Sequence, residues 1–149
     1  MELPHEFRAA LLARGEAYAR GGLHALEHLA IGLAPLCVTC ESTDLGCQCT
    51  RRDGDEHAER FLLFERRRGG VGVADALHVE LPRLLQAAQA RLEACDCDEG
   101  CLACVHMSGC GEYNEGLDKS AAKAILRWLC QGEMPEPPPD ASADSDFSD

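Results

Sequence analysis

The sequence lacks the features that several large classes of protein require. Its longest uncharged apolar stretch, residues 29–39, falls well short of the roughly 20 residues that cross a bilayer. The N-terminus has no basic start followed by an apolar core, so we expect neither a membrane span nor a secretory signal. We therefore predict an intracellular protein, nuclear in a eukaryote and otherwise cytoplasmic.

Lysine is also scarce. The only two are Lys119 and Lys123, and neither follows the Gly-rich loop by which an NTPase holds phosphates. We expect no catalytic residues and no ATP hydrolysis from this chain alone. Basic residues in general are outnumbered, 14 Lys and Arg against 26 Asp and Glu, which argues against a protein that grips nucleic acid over its whole surface.

Half of the net charge of −12 comes from the end of the chain, residues 131–149, which hold six acidic residues and no basic one. This stretch combines four prolines with acids and serines and has almost nothing to bury. We predict one domain over residues 1–130 and a disordered acidic Pro/Ser tail over residues 131–149.

Hydrophobic periodicity within residues 1–130 predicts an α+β fold, with a small sheet flanked by helices. A four-cysteine zinc loop is expected between two helices, within residues 95–110. Residues 5–34 have helical spacing, with a break at Gly21-Gly22 and an end at Pro35. In the predicted helix over residues 73–94, Pro82 indicates a kink or a restart. In the predicted helix over residues 117–130, Lys119 is placed on the outer face. The predicted strands cover residues 36–41 and 61–64, and the two later helices cover residues 73–94 and 117–130.

Cysteine, in contrast, is abundant, with ten residues. In a reducing compartment clustered thiols are better explained as metal ligands than as disulfides, and zinc is the first candidate. Cys101 and Cys104 have the spacing by which two thiolates reach one ion from a single turn. A closed site of this kind leaves no position for water and is structural. We predict four ligands, with Cys95 as the competitor for the first position: Cys97, Cys101, Cys104 and Cys110.

A second group of cysteines lies nearer the N-terminus. It has one pair spaced by two residues and another spaced by one, and its members are Cys37, Cys40, Cys47 and Cys49. A second zinc site is one interpretation. The alternative is that these thiols behave as small apolar groups in strands and loops.

Residues 66–72 present three arginines followed by a glycine-rich turn before a predicted helix. Backbone amides there could receive a phosphate, so we predict a weak nucleic-acid contact through Arg66, Arg67, Arg68 and Gly70. The alternative is a tight turn with a solvated run of charge.

Two further hypotheses come from other functional classes. His24 and His28 share one helix face, which would suit a metal if a third ligand approached, although packed histidines are the simpler interpretation. In the first hypothesis, these histidines together with Asp44 and Glu65 surround a metal in a phosphodiester- or nucleotide-processing enzyme. In a redox switch, two cysteines separated by one residue would instead be oxidised, either Cys95 with Cys97 or Cys47 with Cys49.

Several separated motifs occur in the order seen in one family. They are GGLHAL at residues 21–26, CESTDLG at 40–46, FLLFE at 61–65, GGVGVA at 69–74, the cysteine cluster, and NEGLDKSAA at 114–122. Together they resemble the MrfA-like zinc-binding domain found at the C-terminal end of DExH-box DNA-repair helicases. The resemblance covers roughly residues 20–130.

The resemblance implies a Zn²⁺-holding accessory domain that packs against helicase motor domains or a repair helicase and supports DNA unwinding or repair. It matches the four predicted cysteines to metal ligands, and Asn114 and Lys119 to the polar residues behind them. The sequence departs from the family at Leu102, where Pro is usual, and at Glu65, where Asp is common. The motor domains fall outside this sequence, so we expect docking, with weak or indirect DNA contact.

Overall fold

The computed structural model describes residues 3–48 and 61–135, and their core is built around one long helix. Helix α1 spans His5–Leu12 and helix α2 spans Glu16–Cys37. A short 3₁₀ turn at Ser42–Asp44 leads into strand β1, Leu45–Gln48, which pairs with strand β2, Leu62–Glu65. Helices α3, α4 and α5 follow at Val73–Val79, Leu81–Glu93 and Lys119–Gln131. This arrangement confirms the predicted α+β class.

Helix α2 is buried along most of its length because α1, α4, α5 and β1 all pack against it. The two strands are antiparallel, and Leu45 pairs with Glu65 at one end of the ladder. Phe7 of α1 stacks on Trp128 of α5 with ring centroids 4.5 Å apart, which ties the two ends of the described chain together. No helix within residues 3–48 and 61–135 combines the length and apolarity needed to cross a membrane.

The predicted break at Gly21-Gly22 is wrong, because the two glycines form a helix contact. A Cβ on Gly22 would lie 2.6 Å from the Cβ of Ala121, so only glycine lets α5 approach this closely. The break lies instead at Gly15, which has a φ of 111°. Pro35 does not end the helix either, since the Val38 amide still donates to Ala34 O at 3.0 Å and closes one more turn.

The first strand also differs from the prediction, because α2 continues through residues 36 and 37 and the strand begins only at Leu45. Continued helical hydrogen bonding, rather than burial, extends α2 through this segment, since Leu36 is 63% exposed. The second strand is shifted by one residue, and Phe64 is 46% exposed, so one face of the sheet is open. The restart at Pro82 is confirmed, since α3 and α4 are separate helices with the proline in the first turn of α4.

Candidate metal centre

Four cysteine sulfurs converge in the loop that connects α4 to α5. They belong to Cys95, Cys97, Cys101 and Cys104, which we call the four-cysteine cluster, and all lie within 4.8 Å of one another. Four of the Sγ to Sγ separations are 3.5, 3.6, 3.5 and 3.9 Å. Sulfurs placed about 2.3 Å from a central zinc ion in a tetrahedron lie about 3.8 Å apart. The cluster therefore has the spacing and the ligand chemistry of a structural zinc site.

The loop reaches this shape through its own backbone. The amides of Cys104 and His106 both donate to Cys101 O at 3.0 Å, which makes a tight turn around the last two sulfurs. Gly100, with a φ of 127°, leaves room for Val105, whose side chain a Cβ would meet at 2.5 Å. Arg91 of α4 donates from Nε to Ala103 O at 2.7 Å and fixes the loop to the preceding helix.

Lys119, the first residue of α5, holds the other side of the cluster. It is 2% exposed, and its Nζ donates to Cys95 O at 2.7 Å and to Cys97 Sγ at 3.2 Å. The sequence placed this residue on the outer face, and the structure corrects that, because these acceptors satisfy a buried ammonium group. Its cation would offset part of the negative charge that four thiolates place around a bound zinc ion.

The ionisation of the thiols shows what a cation must do here. Although burial favours the neutral thiol of Cys97, hydrogen bonds from Lys119 and the neighbouring cysteines lower its pKa to about 6. Burial raises the pKa of Cys104 to about 11. A divalent cation binds the thiolate form, so its binding would release the proton that burial favours on Cys104.

The structure brings together Cys97, Cys101 and Cys104 as predicted, but their fourth partner is Cys95 rather than Cys110. The chain turns back after Cys104, and Asn114 then holds Met107 through both backbone groups, at 2.8 and 3.1 Å. This clamp carries Cys110 away from the cluster and towards α2. The sequence offered Cys95 as the competitor for the first ligand position, and spacing alone did not separate it from Cys110.

Cys110 lies instead beside the two histidines of α2. Its Sγ is 3.4 Å from His24 Nε2, and the ligand atoms of His24, His28 and Cys110 lie within 4.8 Å of one another. We call these three residues the histidine group. Burial lowers the pKa of both imidazoles, so both rings are neutral at physiological pH.

The residues of the enzyme hypothesis do not all meet. Asp44 accepts a hydrogen bond from the Glu41 amide at 2.8 Å, and the carboxylate of Glu65 is bound to a backbone turn. Among the described residues, neither acid belongs to a group of potential metal ligands with the histidines.

The predicted second cysteine site is not assembled in the described part of the chain. Cys37, Cys40 and Cys47 form no ligand group there, and Cys49 lies outside the described residues. Cys47 on β1 faces α2, where burial and a hydrogen bond with Glu27 raise its pKa to about 12. One member of the proposed redox pair of Cys47 and Cys49 lies outside the described residues. The other pair, Cys95 and Cys97, belongs to the four-cysteine cluster.

The glycine-rich turn already holds a carboxylate. Glu65 accepts hydrogen bonds from the amides of Val71, Gly72 and Ala74 at 2.5, 3.1 and 3.0 Å. These bonds lower the pKa of Glu65. A Cβ on Gly70 would lie 3.3 Å from the same carboxylate. The backbone amides predicted to bind a phosphate are thus already bound to a side chain of the same molecule, that of Glu65.

The predicted arginines precede this turn. Arg66 donates from Nε to Leu45 O at 2.7 Å and so connects β2 to β1. Arg67 and Arg68 are exposed. A nucleic-acid contact through these residues stays a prediction.

Comparison with known proteins places these features in a family. The model of the MrfA Zn-binding domain matches residues 26–105. The uncharacterized protein MJ1572.1 of Methanocaldococcus jannaschii is 30% identical over 110 residues, which are 72% of this chain and 98% of that protein. The ATP-dependent helicase HRQ1 of Saccharomyces cerevisiae is 22% identical over 119 residues, 73% of this chain but 11% of HRQ1.

Among solved structures, the crystal structure of the DUF1998 helicase MrfA bound to DNA has a similar fold. The TM-score is 0.61 at 18% identity, and the match covers 77% of this chain and 15% of that one. The likeness to MrfA concerns the fold, while the matched family model and the extensive identity with MJ1572.1 concern the sequence itself. With its cysteine cluster spaced to hold zinc, the chain belongs to the MrfA Zn-binding domain family.

Proposed function

We propose that this chain is a zinc-stabilised accessory module that docks on the motor domains of a DNA helicase and supports DNA repair. The observation that carries the proposal is the four-cysteine cluster, built into the junction of α4 and α5 in a domain of the MrfA type. Four sulfur ligands fill a tetrahedral site, so the ion would hold the fold together and perform no chemistry. The proposed ligands are Cys95, Cys97, Cys101 and Cys104.

The relatives support a role beside a motor. HRQ1 is an ATP-dependent helicase, and the MrfA structure is that of a helicase bound to DNA. This chain corresponds to about a tenth of the first and 15% of the second. We therefore assign ATP hydrolysis and unwinding to the motor and a structural role to the domain described here.

Exposed apolar side chains on the loop between α4 and α5 offer a contact surface. Leu102, between two cysteines of the cluster, is 78% exposed, and Tyr113 is 86% exposed. Both are attached to backbone that the cysteine loop or the Asn114 clamp holds in place, so little conformational entropy would be lost on binding. We propose that these two side chains contact the motor domains.

Direct DNA binding would be weak. The chain carries a net charge of −12, and four thiolates around one zinc ion add to the negative charge. The turn amides that could receive a phosphate are bound to Glu65. We propose that DNA is contacted only once the motor delivers it. The contact would use the exposed arginines beside the turn, Arg67 and Arg68.

The test of docking uses the full chain and purified motor domains of a helicase of the MrfA type, with the dissociation constant measured by calorimetry. We expect Leu102→Asp and Tyr113→Asp each to weaken binding about tenfold or more, which corresponds to about 1.4 kcal/mol. Val79→Asp is the matched control, since Val79 is 76% exposed but lies at the end of α3. Equal loss in all three variants, or no binding by the parent chain, would contradict the proposal.

A DNA titration and an ATPase assay of the chain alone complete the test. We expect no ATP hydrolysis and only weak, salt-sensitive binding to single- or double-stranded DNA. Tight binding that persists at high salt would overturn the docking role and favour direct recognition of DNA.

A further inference from the structure

The histidine group has the composition of a second metal site. His24 and His28 lie one turn apart on α2 and are 7% and 5% exposed, with ring centroids 4.6 Å apart. Cys110 comes from the loop before α5, 86 residues from His24 in sequence. Two imidazoles and a thiol are the nitrogen and sulfur ligands that zinc prefers.

A hydrogen bond sets the tautomer of His28 and leaves its second ring nitrogen free to bind a metal. Val105 O can only accept a hydrogen bond, so His28 Nδ1, 2.7 Å away, carries the proton, and Nε2 of the neutral ring keeps a lone pair. His24 Nδ1 lies 3.8 Å from a carboxylate oxygen of Glu112, while its Nε2 faces Cys110 Sγ. A histidine that binds metal typically donates its other ring nitrogen to a carbonyl or carboxylate, as His28 does to Val105 O.

The distances agree with one shared ion. A tetrahedral zinc ion about 2.3 Å from sulfur and about 2.0 Å from nitrogen separates those two atoms by about 3.5 Å. The observed distance from Cys110 Sγ to His24 Nε2 is 3.4 Å, and all three ligand atoms lie within 4.8 Å of one another. The two buried imidazoles need partners for their polar atoms, and an ion at the centre of the group would supply one to each of them.

We propose that His24, His28 and Cys110 hold a second zinc ion, separate from the ion of the four-cysteine cluster. The three ligands leave the fourth tetrahedral position to water. The site joins α2 to the loop that leads into α5. It goes beyond the docking role and does not depend on it.

The experiment measures zinc per chain. The purified full chain is saturated with zinc, freed of unbound metal and analysed by elemental mass spectrometry. We expect two ions for the parent and one for Cys110→Ser. We also expect two for Cys130→Ser, the control, whose half-buried thiol on α5 is outside both groups. A parent ratio of one, or a ratio of two that Cys110→Ser leaves unchanged, would overturn the proposal.

A second measurement decides the outcome even if Cys110→Ser fails to fold. Zinc X-ray absorption of the parent chain reports the average ligand set of all bound ions. We expect a mixture of sulfur and imidazole scattering, which one all-sulfur and one His-His-Cys site together produce. An all-sulfur spectrum would overturn the second site while leaving the four-cysteine cluster and the docking proposal intact.

Discussion

The two ligand groups of this domain are built in opposite ways. All four sulfurs of the four-cysteine cluster come from one stretch, residues 95–104, whose own turns bring them together. The histidine group draws two ligands from the middle of α2 and one from a loop 86 residues later. The ligands of the first are brought together by local geometry, with Lys119 of α5 as a supporting contact, whereas the second exists only when α2 and the loop before α5 are packed.

This difference assigns different physical roles to the two groups. A metal held by a local loop organises that loop and the helices at its ends, because binding and local folding are coupled. A group spread over distant segments reports on whether the tertiary fold has formed. Variants that affect one group and spare the other therefore measure how independent the two are.

The largest effect is expected from Cys101→Ser. Structural zinc contributes on the order of 10 kcal/mol in small domains, which is comparable to the whole stability of a typical domain. We expect loss of the cluster's zinc and no cooperative thermal transition by circular dichroism. Cys130→Ser, at a half-buried position on α5, should melt like the parent. A Cys101→Ser variant that melts at the parent's temperature with its zinc retained would contradict the cluster's role.

Lys119→Met should weaken the same cluster without emptying the histidine group. It removes the ammonium that contacts Cys97 Sγ and the Cys95 carbonyl. Loss of such a supporting contact typically lowers metal affinity about 10–100-fold. Competition with a zinc chelator measures this, and Lys123→Met, one turn further along α5, serves as the control. Equal zinc affinity in both variants would contradict the importance of Lys119.

Gly22→Ala tests the packing on which the histidine group depends. The new Cβ would lie 2.6 Å from that of Ala121, and such overpacking costs about 1–3 kcal/mol. Gly32→Ala is the control on the same helix, because a Cβ there meets nothing within 4 Å and alanine favours helix by up to about 1 kcal/mol. Urea denaturation should show destabilisation in the first variant and stabilisation in the second. If both substitutions stabilise the protein, α5 shifts away from Gly22 at little cost, which would contradict the prediction.

Glu65→Gln should have a smaller effect, one that depends on pH. The turn amides lower the folded pKa of Glu65 below its usual 4.5, so its contribution is present above pH 4.5 and is lost as the pH falls through the folded value. The variant should melt below the parent at pH 7, and the difference should shrink in acid. Neither metal group contacts this carboxylate in the hydrogen bonds described above, so zinc content should not change. A difference that grows in acid would contradict this assignment.

Removal of residues 136–149 should have the smallest effect. The sequence there offers little apolar surface to offset the entropy of ordering, about 1–2 kcal/mol per residue for the backbone. We expect an unchanged melting temperature and unchanged zinc content for a chain ending at Pro135. A large drop in melting temperature would mean that the acidic tail packs on the domain.

Much of the fold was predictable because its signals are local. The helical periodicity, the restart at Pro82 and the clustered cysteines each lie within one element or loop. The glycine pair of α2 was misread because a single sequence does not show which helix approaches it. Cys95 and Cys110 were both within reach of the cluster by spacing, and only the clamp of Met107 by Asn114 decides between them.

The histidine group illustrates the limit of such reasoning. His24 and His28 share a helix face at a spacing that suits a metal, but no pattern connects them to Cys110. That contact depends on how the loop before α5 folds over α2. Lys119 was misplaced for a similar reason, since its buried acceptors belong to residues more than twenty positions earlier.

The stacking of Phe7 on Trp128 gives the domain a built-in optical reporter. Trp128 is the chain's single tryptophan, and it lies on the helix whose first residue touches the cysteine cluster. The emission spectrum of Trp128 depends on whether α1 covers its ring. If α1 and α5 separate, water reaches the ring and the spectrum changes. Loss of metal and loosening of the helices can therefore be followed in unlabelled protein at one wavelength, and their order in time can be read directly.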